Sequence, residues 1–155
     1  MTQTKVIGES VKRTDRNFVK AYTDDYAKAI TENYRLYHIN TLQGNLSGNY
    51  PEYAREQLDA IENGTANLMW FKVKTGKKYY KIVQQEFETW EKSKYFNQYR
   101  DASVHAFVDK KTGQVFKPAS WAAPAKHVRY DLRIIREREF LFNPDNTTWA
   151  GGYLY

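Results

Sequence analysis

The chain has 155 residues, a hydrophobic fraction of 41% and an aromatic fraction of 16%, which is enough for a buried core and excludes global disorder. It has no cysteine, which excludes disulfides, thiolate zinc sites, iron–sulfur clusters and cysteine nucleophiles. Residues 1–71 hold 8 basic and 9 acidic residues, whereas residues 72–155 hold 16 and 9. The net charge of +6 therefore arises from the second half, which favours an anionic partner.

The first predicted elements lie in residues 17–37. The segment Asn17 to Tyr22 alternates like a strand but also fits the start of a helix. We predict a strand, because Thr23 resembles a helix N-cap and two aspartates follow it at the positive end of the helix dipole. Apolar residues then recur at three-to-four-residue spacing, which predicts a helix with one core-facing stripe. The stripe consists of Tyr26, Ile30, Tyr34 and Tyr37.

A second helix is bounded by residues that commonly start and stop helices. Asn49 is its predicted N-cap, and Pro51 fits the first turn. Asn63-Gly64 supplies the stop. The apolar face predicted to pack inward consists of Ala54, Leu58 and Ile61.

The second half changes to β-prone runs. Residues 68–73 and 79–83 flank a Gly-containing turn and predict a hairpin. Residues 104–108 and 114–117 flank a second turn, and a short helix is predicted over 132–142. We therefore predict an α+β fold, in which an antiparallel sheet of hairpins from the second half is packed by helices from the first half. Since no linker divides the sequence, residues 1–155 are expected to form a single domain.

No catalytic or metal-binding pattern emerges from the residues that could supply one. His38, His105 and His127 show no metal-ligand spacing, and a hydrogen-bonded or solvated histidine is the simpler reading of each. Glu86, Glu88 and Glu91 lie among polar and basic residues, as on a solvated face. No nucleophile elbow and no phosphate-binding glycine loop is present. We predict a protein that is not an enzyme and that uses no cofactor and no metal.

Basic residues interleaved with aromatic ones form the strongest candidate site. One group surrounds the first hairpin, and others follow along the chain; cations beside exposed rings are a common way to hold single-stranded nucleic acid. The residues predicted to bind are Lys77, Lys78, Lys110, Lys111, Lys117, Trp121, Lys126, Arg129 and Arg133. Further candidates are Lys72, Lys74 and Lys81, with Tyr79, Phe107 and Tyr130 as stacking platforms. The alternative is that the lysines only solubilise the surface and that Trp121 plugs the core.

Two segments of the second half resemble segments of known proteins. The first runs from Ser103 through Asp109-Lys110-Lys111-Thr112-Gly113 and Lys117-Pro118-Ala119-Ser120-Trp121 to Tyr130. The second is Trp149-Ala150-Gly151-Gly152-Tyr153-Leu154. Both resemble small uncharacterised proteins of tailed bacteriophages, including phages of cyanobacteria. The resemblance covers about the last third of the chain and implies a viral origin without assigning an activity or catalytic residues.

These observations support two hypotheses for the function. The first is a phage-encoded, non-enzymatic module that binds DNA or RNA through its basic second half. The second is a protein–protein interaction module, either a virion component or an inhibitor of a host protein, since tyrosine and tryptophan are enriched at interfaces. The sequence shows no membrane span and no signal peptide, so we expect no membrane association and a place of action in the host cytoplasm. A dimer is compatible with the sequence, although no heptad pattern specifies one.

Overall fold

The computed structural model describes the backbone of residues 2–155 and the side chains of residues 18–155. Within that range the chain forms three α-helices, five strands and one 3-10 turn. In chain order they are α1 (Thr2–Asn45), α2 (Pro51–Glu62), β1 (Trp70–Thr75), β2 (Tyr79–Phe87), β3 (Tyr99–Asp109), β4 (Gln114–Phe116), β5 (Tyr130–Asp131), α3 (Ile135–Phe142) and the 3-10 turn (Gly152–Leu154). None of the helices in this described part combines the length and the apolar character that a membrane crossing requires.

The five strands form one antiparallel sheet in the order β1-β2-β3-β4-β5. The predicted hairpin is confirmed as β1–β2, in which Val73 lies opposite Ile82 and the Gly76 amide donates to the Tyr79 carbonyl at 2.9 Å. The second predicted hairpin is confirmed as β3–β4. Its turn needs Gly113, whose φ of +74° lies in the left-handed region that favours glycine. The predicted α+β architecture is therefore confirmed.

The core lies between α1 and one face of the sheet, which we call the inner face. Alternate residues along each strand point to the same face of a sheet, whereas residues three or four apart share one face of a helix. The buried inner-face residues Phe71, Ile82 and Val108 therefore meet a buried stripe of α1. That stripe consists of Val19, Tyr26, Ala27 and Ile30.

The predicted strand at residues 17–22 is wrong, because these residues lie inside α1. Val19 is fully buried, and it continues the helical spacing of Tyr26 and Ile30 toward the N-terminus. Thr23 is not an N-cap either, since its hydroxyl donates to the Val19 carbonyl at 2.7 Å within the helix. Six residues are too few to distinguish a period of two from a period of 3.6, which is why the window alone misleads.

The other helix boundaries follow the predictions more closely. Helix α2 begins at Pro51 as expected, but its N-cap is Tyr50 and not Asn49, and no side chain caps it. It stops at Asn63 as predicted, and Gly64 follows with a φ of +74°. The predicted helix near the C-terminus is confirmed as α3, which begins at Ile135.

Candidate functional site

The face of the sheet opposite α1, which we call the outer face, presents rings and ammonium groups together. Its residues follow from the strand alternation, because Lys81 and Phe107 are opposite each other in register and adjacent to the inner-face pairs. The Tyr79 ring meets Phe107 edge to face at 5.7 Å between centroids and Phe116 at 6.3 Å. Three rings from β2, β3 and β4 thus form one aromatic cluster on this face.

Two lysines of β2 and its preceding turn lie over these rings. The Lys78 ammonium is 5.3 Å from the centroid of Tyr79, and the Lys81 ammonium is 5.5 Å from that of Phe107. A cation at this distance is attracted by the negative face of an aromatic ring. Phe107 is buried and cannot serve as the stacking platform predicted for it, whereas the half-buried Tyr79 ring can still be reached by a planar ligand.

The loop over residues 118–125, which we call the Trp loop, folds over part of the outer face. The Lys81 ammonium donates a hydrogen bond to the Trp121 carbonyl. Pro118 and Pro124 are bridged across the base of the loop, and the Ser120 amide donates to the Ala123 carbonyl at 3.1 Å. The Trp121 side chain is 48% exposed, so Trp121 does not plug the core.

The turns of the two hairpins lie side by side at one end of the sheet, which we call the turn end. The Lys110 amide donates to the Lys78 carbonyl at 3.1 Å, and the Lys110 ammonium donates to the Gly76 carbonyl at 3.2 Å. Lys77, Lys78 and Lys111 are exposed there. The tertiary fold therefore brings together basic residues that are more than thirty positions apart in the chain.

A pocket of about 380 Å³ opens between the first hairpin turn and the Trp loop. We call it the hairpin pocket. Four lysines line it, together with Tyr79 of β2 and Ala122 of the Trp loop, whereas none of the described lining residues is a carboxylate. The lysines are Lys74, Lys77, Lys78 and Lys81. Its volume falls within the ~300–1,000 Å³ of small-molecule sites, and its charge suits an anionic, partly aromatic ligand.

Acidic residues neutralise only part of this surface. Lys74 pairs with the Asp101 carboxylate, and the hydrogen bond from the Lys74 ammonium lowers the pKa of Asp101. Among the side chains of residues 18–155, no salt bridge involves Lys77, Lys78 or Lys111. Ammonium groups without a carboxylate partner keep their full attraction for an added anion.

The predicted binding residues divide between this surface and other places. Lys77, Lys78, Lys110 and Lys111 meet at the turn end, although the Lys110 ammonium lies 5.6 Å over the ring of Tyr80 on the inner side. Arg133 adjoins the same turn, because its Cγ would lie 3.2 Å from a Cβ added at Gly113. Trp121 contacts the outer face through its backbone carbonyl, which accepts the hydrogen bond from Lys81.

The remaining three predicted residues do not join the turn end. The Lys117 ammonium lies 3.9 Å over the ring of Tyr155, beside the C-terminal segment. The backbone just before the exposed Lys126 lies beside Lys117, since the Ala125 amide donates to the Lys117 carbonyl at 2.8 Å. Arg129 is half-buried, and its buried Nε has no hydrogen-bond partner among residues 18–155. None of Lys117, Lys126 and Arg129 therefore lines the hairpin pocket.

Sequence reasoning left out two contributors to the outer-face cluster. Phe116 packs against Tyr79, and Ala122 completes the wall of the hairpin pocket. The period-two alternation of β4 could have placed Phe116 opposite Phe107. No local signal predicts that Ala122 approaches the first hairpin, because that contact depends on how the Trp loop folds back.

A second polar cluster lies on the inner side of the sheet, where the C-terminal segment packs. His105 Nε2 is 2.7 Å from the Tyr153 hydroxyl, which is 2.5 Å from the Tyr26 hydroxyl. Burial lowers the pKa of His105 from 6.5 to about 4, and a hydrogen bond with the Trp149 backbone opposes that shift. Burial also raises the pKa of Tyr26 and Tyr153. The cluster is thus a neutral hydrogen-bonded network, and His105 has the satisfied environment predicted for it.

Metal ligation has no support in the described residues. Among the side chains of residues 18–155, no group of three histidine, aspartate or glutamate residues could hold an ion. What the outer face offers is ammonium groups beside the half-buried Tyr79 ring, with the exposed Trp121 on the neighbouring Trp loop. Such an arrangement can bind an anionic, ring-containing ligand by charge and stacking.

Comparisons with other proteins give a family but no function. Neither a search of curated proteins nor a search of solved structures returns a match. A family model described as a family of unknown function, DUF7717, matches residues 6–155. Because this match spans nearly the whole chain, the protein belongs to the DUF7717 family of unknown function.

Proposed function

We propose that this protein is a non-enzymatic module that binds DNA or RNA through the turn end and the outer face of its sheet. The observation that carries the proposal is the hairpin pocket, in which four lysines and the Tyr79 ring converge and no carboxylate occurs among the lining residues that the structure describes. Lysines bind phosphates, and accessible rings stack on bases. The same combination of groups serves many single-strand binding surfaces.

The charge distribution supports the same proposal at longer range. The second half of the chain has 16 basic and 9 acidic residues, and five basic residues predicted to bind nucleic acid gather around the two hairpin turns. These are Lys77, Lys78, Lys110, Lys111 and Arg133. A local excess of one charge attracts an oppositely charged polymer and raises its association rate.

We expect the double variant Lys77→Ala/Lys78→Ala to bind a labelled single-stranded oligonucleotide of about 12 nucleotides about tenfold more weakly than the unmodified protein. Fluorescence anisotropy at ~50 mM salt measures the affinity where phosphate contacts are strong. Repeating the titration at several salt concentrations should give a slope of log K against log salt that is smaller by about 1.4, since each single-strand phosphate contact contributes ~0.7.

The matched control is Lys92→Ala/Lys94→Ala. These two lysines are also exposed and lie in the β2–β3 connection, at the other end of the sheet. Both double variants lose the same formal charge, so a difference between them reports position and not net charge. Equal losses in the two variants, or no binding by the unmodified protein at ~50 mM salt, would contradict the proposal.

A second candidate function, protein–protein interaction, is favoured by a different surface. The β2–β3 connection exposes Trp90, Tyr95 and Phe96 to 62%, 41% and 44%. Backbone hydrogen bonds between Glu88 and residues 97–98, of 2.9 and 3.0 Å, fix this connection. Large rings held on a rigid loop are common anchors of protein interfaces. A partner that is retained from a host lysate after nuclease treatment would favour this function over nucleic-acid binding.

We place the proposed activity in the cytoplasm of a bacterial host, in keeping with the resemblance of the last third of the chain to phage proteins. A protein that acts there would meet both viral and host nucleic acid. On this proposal its task is genome handling or interference with the host, whereas the interaction function corresponds to a virion component or an inhibitor of a host protein.

A further inference from the structure

We infer that the hairpin pocket receives one unpaired nucleotide, with its base against Tyr79 and its phosphate among the surrounding lysines. This inference rests on the proposed nucleic-acid binding and names its substrate class as single-stranded. The pocket holds about 380 Å³, within the ~300–1,000 Å³ of sites for small molecules. A broad phosphate-binding surface would need no such recess.

The lysines around the pocket have two different tasks. Lys74 is engaged by Asp101, and Lys81 is engaged by the Trp121 carbonyl, so these two hold the walls in place. Lys77 and Lys78 are exposed, and neither forms a salt bridge with a described side chain. Their ammonium groups are therefore the ones placed to bind a phosphate at the mouth of the pocket.

Tyr79 is the ring placed to meet the base. It is half-buried, it lines the pocket, and its edge contacts with Phe107 and Phe116 fix its orientation. The Lys78 ammonium 5.3 Å from its centroid already shows that the ring attracts a cation. A ring held by its neighbours loses little freedom on binding, which strengthens a stacking contact.

A duplex cannot use this pocket in the same way. Its bases stack on one another inside the helix, so that their faces are unavailable and only phosphates and groove edges reach the protein. Double-stranded nucleic acid would therefore contact the lysines of the turn end and leave Tyr79 without a base. Preference for a single strand follows from the pocket, whereas the lysines alone would bind either form.

Two single strands of about 12 nucleotides with the same phosphates test this inference. One is oligothymidylate, and the other carries an abasic residue at every position. The two probes have equal charge, so any difference in affinity measured by anisotropy comes from the bases. The base-bearing strand should bind at least about fivefold more tightly, which is the effect of the weakest base–aromatic stacks. A blunt duplex has a higher phosphate density than either strand, so its affinity is compared only between the unmodified protein and Tyr79→Leu, in which it should be unchanged.

The Tyr79→Leu variant localises the effect, since leucine keeps an apolar side chain but removes the ring. The ratio of the two affinities should fall to nearly one in this variant. Tyr95→Leu is the matched control, because Lys94 lies 5.0 Å over the Tyr95 ring just as Lys78 lies over Tyr79, yet Tyr95 does not line the pocket. Tyr95→Leu should keep the ratio of the unmodified protein.

The outcomes separate the inference from the proposed function. Equal binding of the thymidylate and abasic strands by the unmodified protein would overturn the pocket inference and leave phosphate-based binding standing. Failure of both strands to bind would overturn both. An unchanged ratio in Tyr79→Leu, with the variant folded by circular dichroism, would also overturn the assignment of the base to this ring.

Discussion

Replacing Ile30 by alanine should lower the free energy of unfolding by about 2–5 kcal/mol, the usual cost of removing a large aliphatic side chain from a packed core. Ile30 lies on α1 with no exposed surface, and it belongs to the same buried cluster as Phe71 and Ile82 of the inner face. The substitution leaves a cavity at the junction of helix and sheet, because the residues around it relax only in part. Urea denaturation followed by circular dichroism measures the difference.

Leu36→Ala provides the control on the same helix. Leu36 is 44% exposed, so the same kind of truncation removes much less buried surface and should cost well under about 1 kcal/mol. Comparable losses for the two variants would contradict the packing of α1 on the inner face through the stripe that contains Ile30.

Acidification should destabilise the protein through His105. Burial lowers the pKa of this residue from 6.5 to about 4, so the unfolded chain binds the proton more readily than the folded one. Above pH 6.5 the ring is neutral in both the folded and the unfolded chain, so His105 does not affect stability there. As the pH falls from 6.5 toward 4, only the unfolded chain binds the proton, and the folded protein loses stability. At about pH 5 the loss attributable to His105 amounts to about 2 kcal/mol.

The comparison of His105→Gln with the unmodified protein isolates this contribution. Free energies of unfolding are measured in urea at about pH 7.5 and pH 5, and carboxylate titration affects both proteins alike. The free energy of unfolding that is lost between these two pH values should be smaller in the variant by about 2 kcal/mol. An identical pH dependence in His105→Gln and the unmodified protein would rule out a buried neutral His105.

The sheet is the part of the fold that sequence patterns predict best. Residues 68–73 and 79–83 are both β-prone and flank a glycine-containing turn, so that β1–β2 is set by local signals. The same holds for β3 and β4 around Gly113. Each of these features involves residues close in sequence, where propensity and turn chemistry act together.

Residues 17–22 show where local pattern fails. The strand prediction relied on a helix start at Thr23, yet Val19 belongs to the buried cluster that α1 shares with a sheet formed far along the chain. Tertiary packing decides between two periodicities that a short window fits equally well. Asp24, which was predicted to lie at a helix start, lies inside α1 and forms a salt bridge of 2.7 Å with Lys20 one turn earlier.

The sequence predicts which residues belong to the candidate site but not how the fold arranges them in space. Charge counting identified the lysines of both hairpins, and the contact between Lys110 and Gly76 is the kind of convergence that the hypothesis needed. Lys117 points to the C-terminal Tyr155 instead, because one position along a strand changes the face of the sheet. The seating of the Trp loop over Lys81 depends on a single long-range hydrogen bond that no sequence motif encodes.

Nuclear magnetic resonance titration with oligothymidylate tests most directly whether the turn end and outer face bind nucleic acid. The largest amide shift changes should fall on residues 74–81 of the first hairpin and on residues 119–123 of the Trp loop, where the pocket lies. Helix α2, whose amides lie outside this pocket, should be unaffected. Shift changes centred on α2, or a spectrum unchanged at ~50 mM salt, would contradict the account.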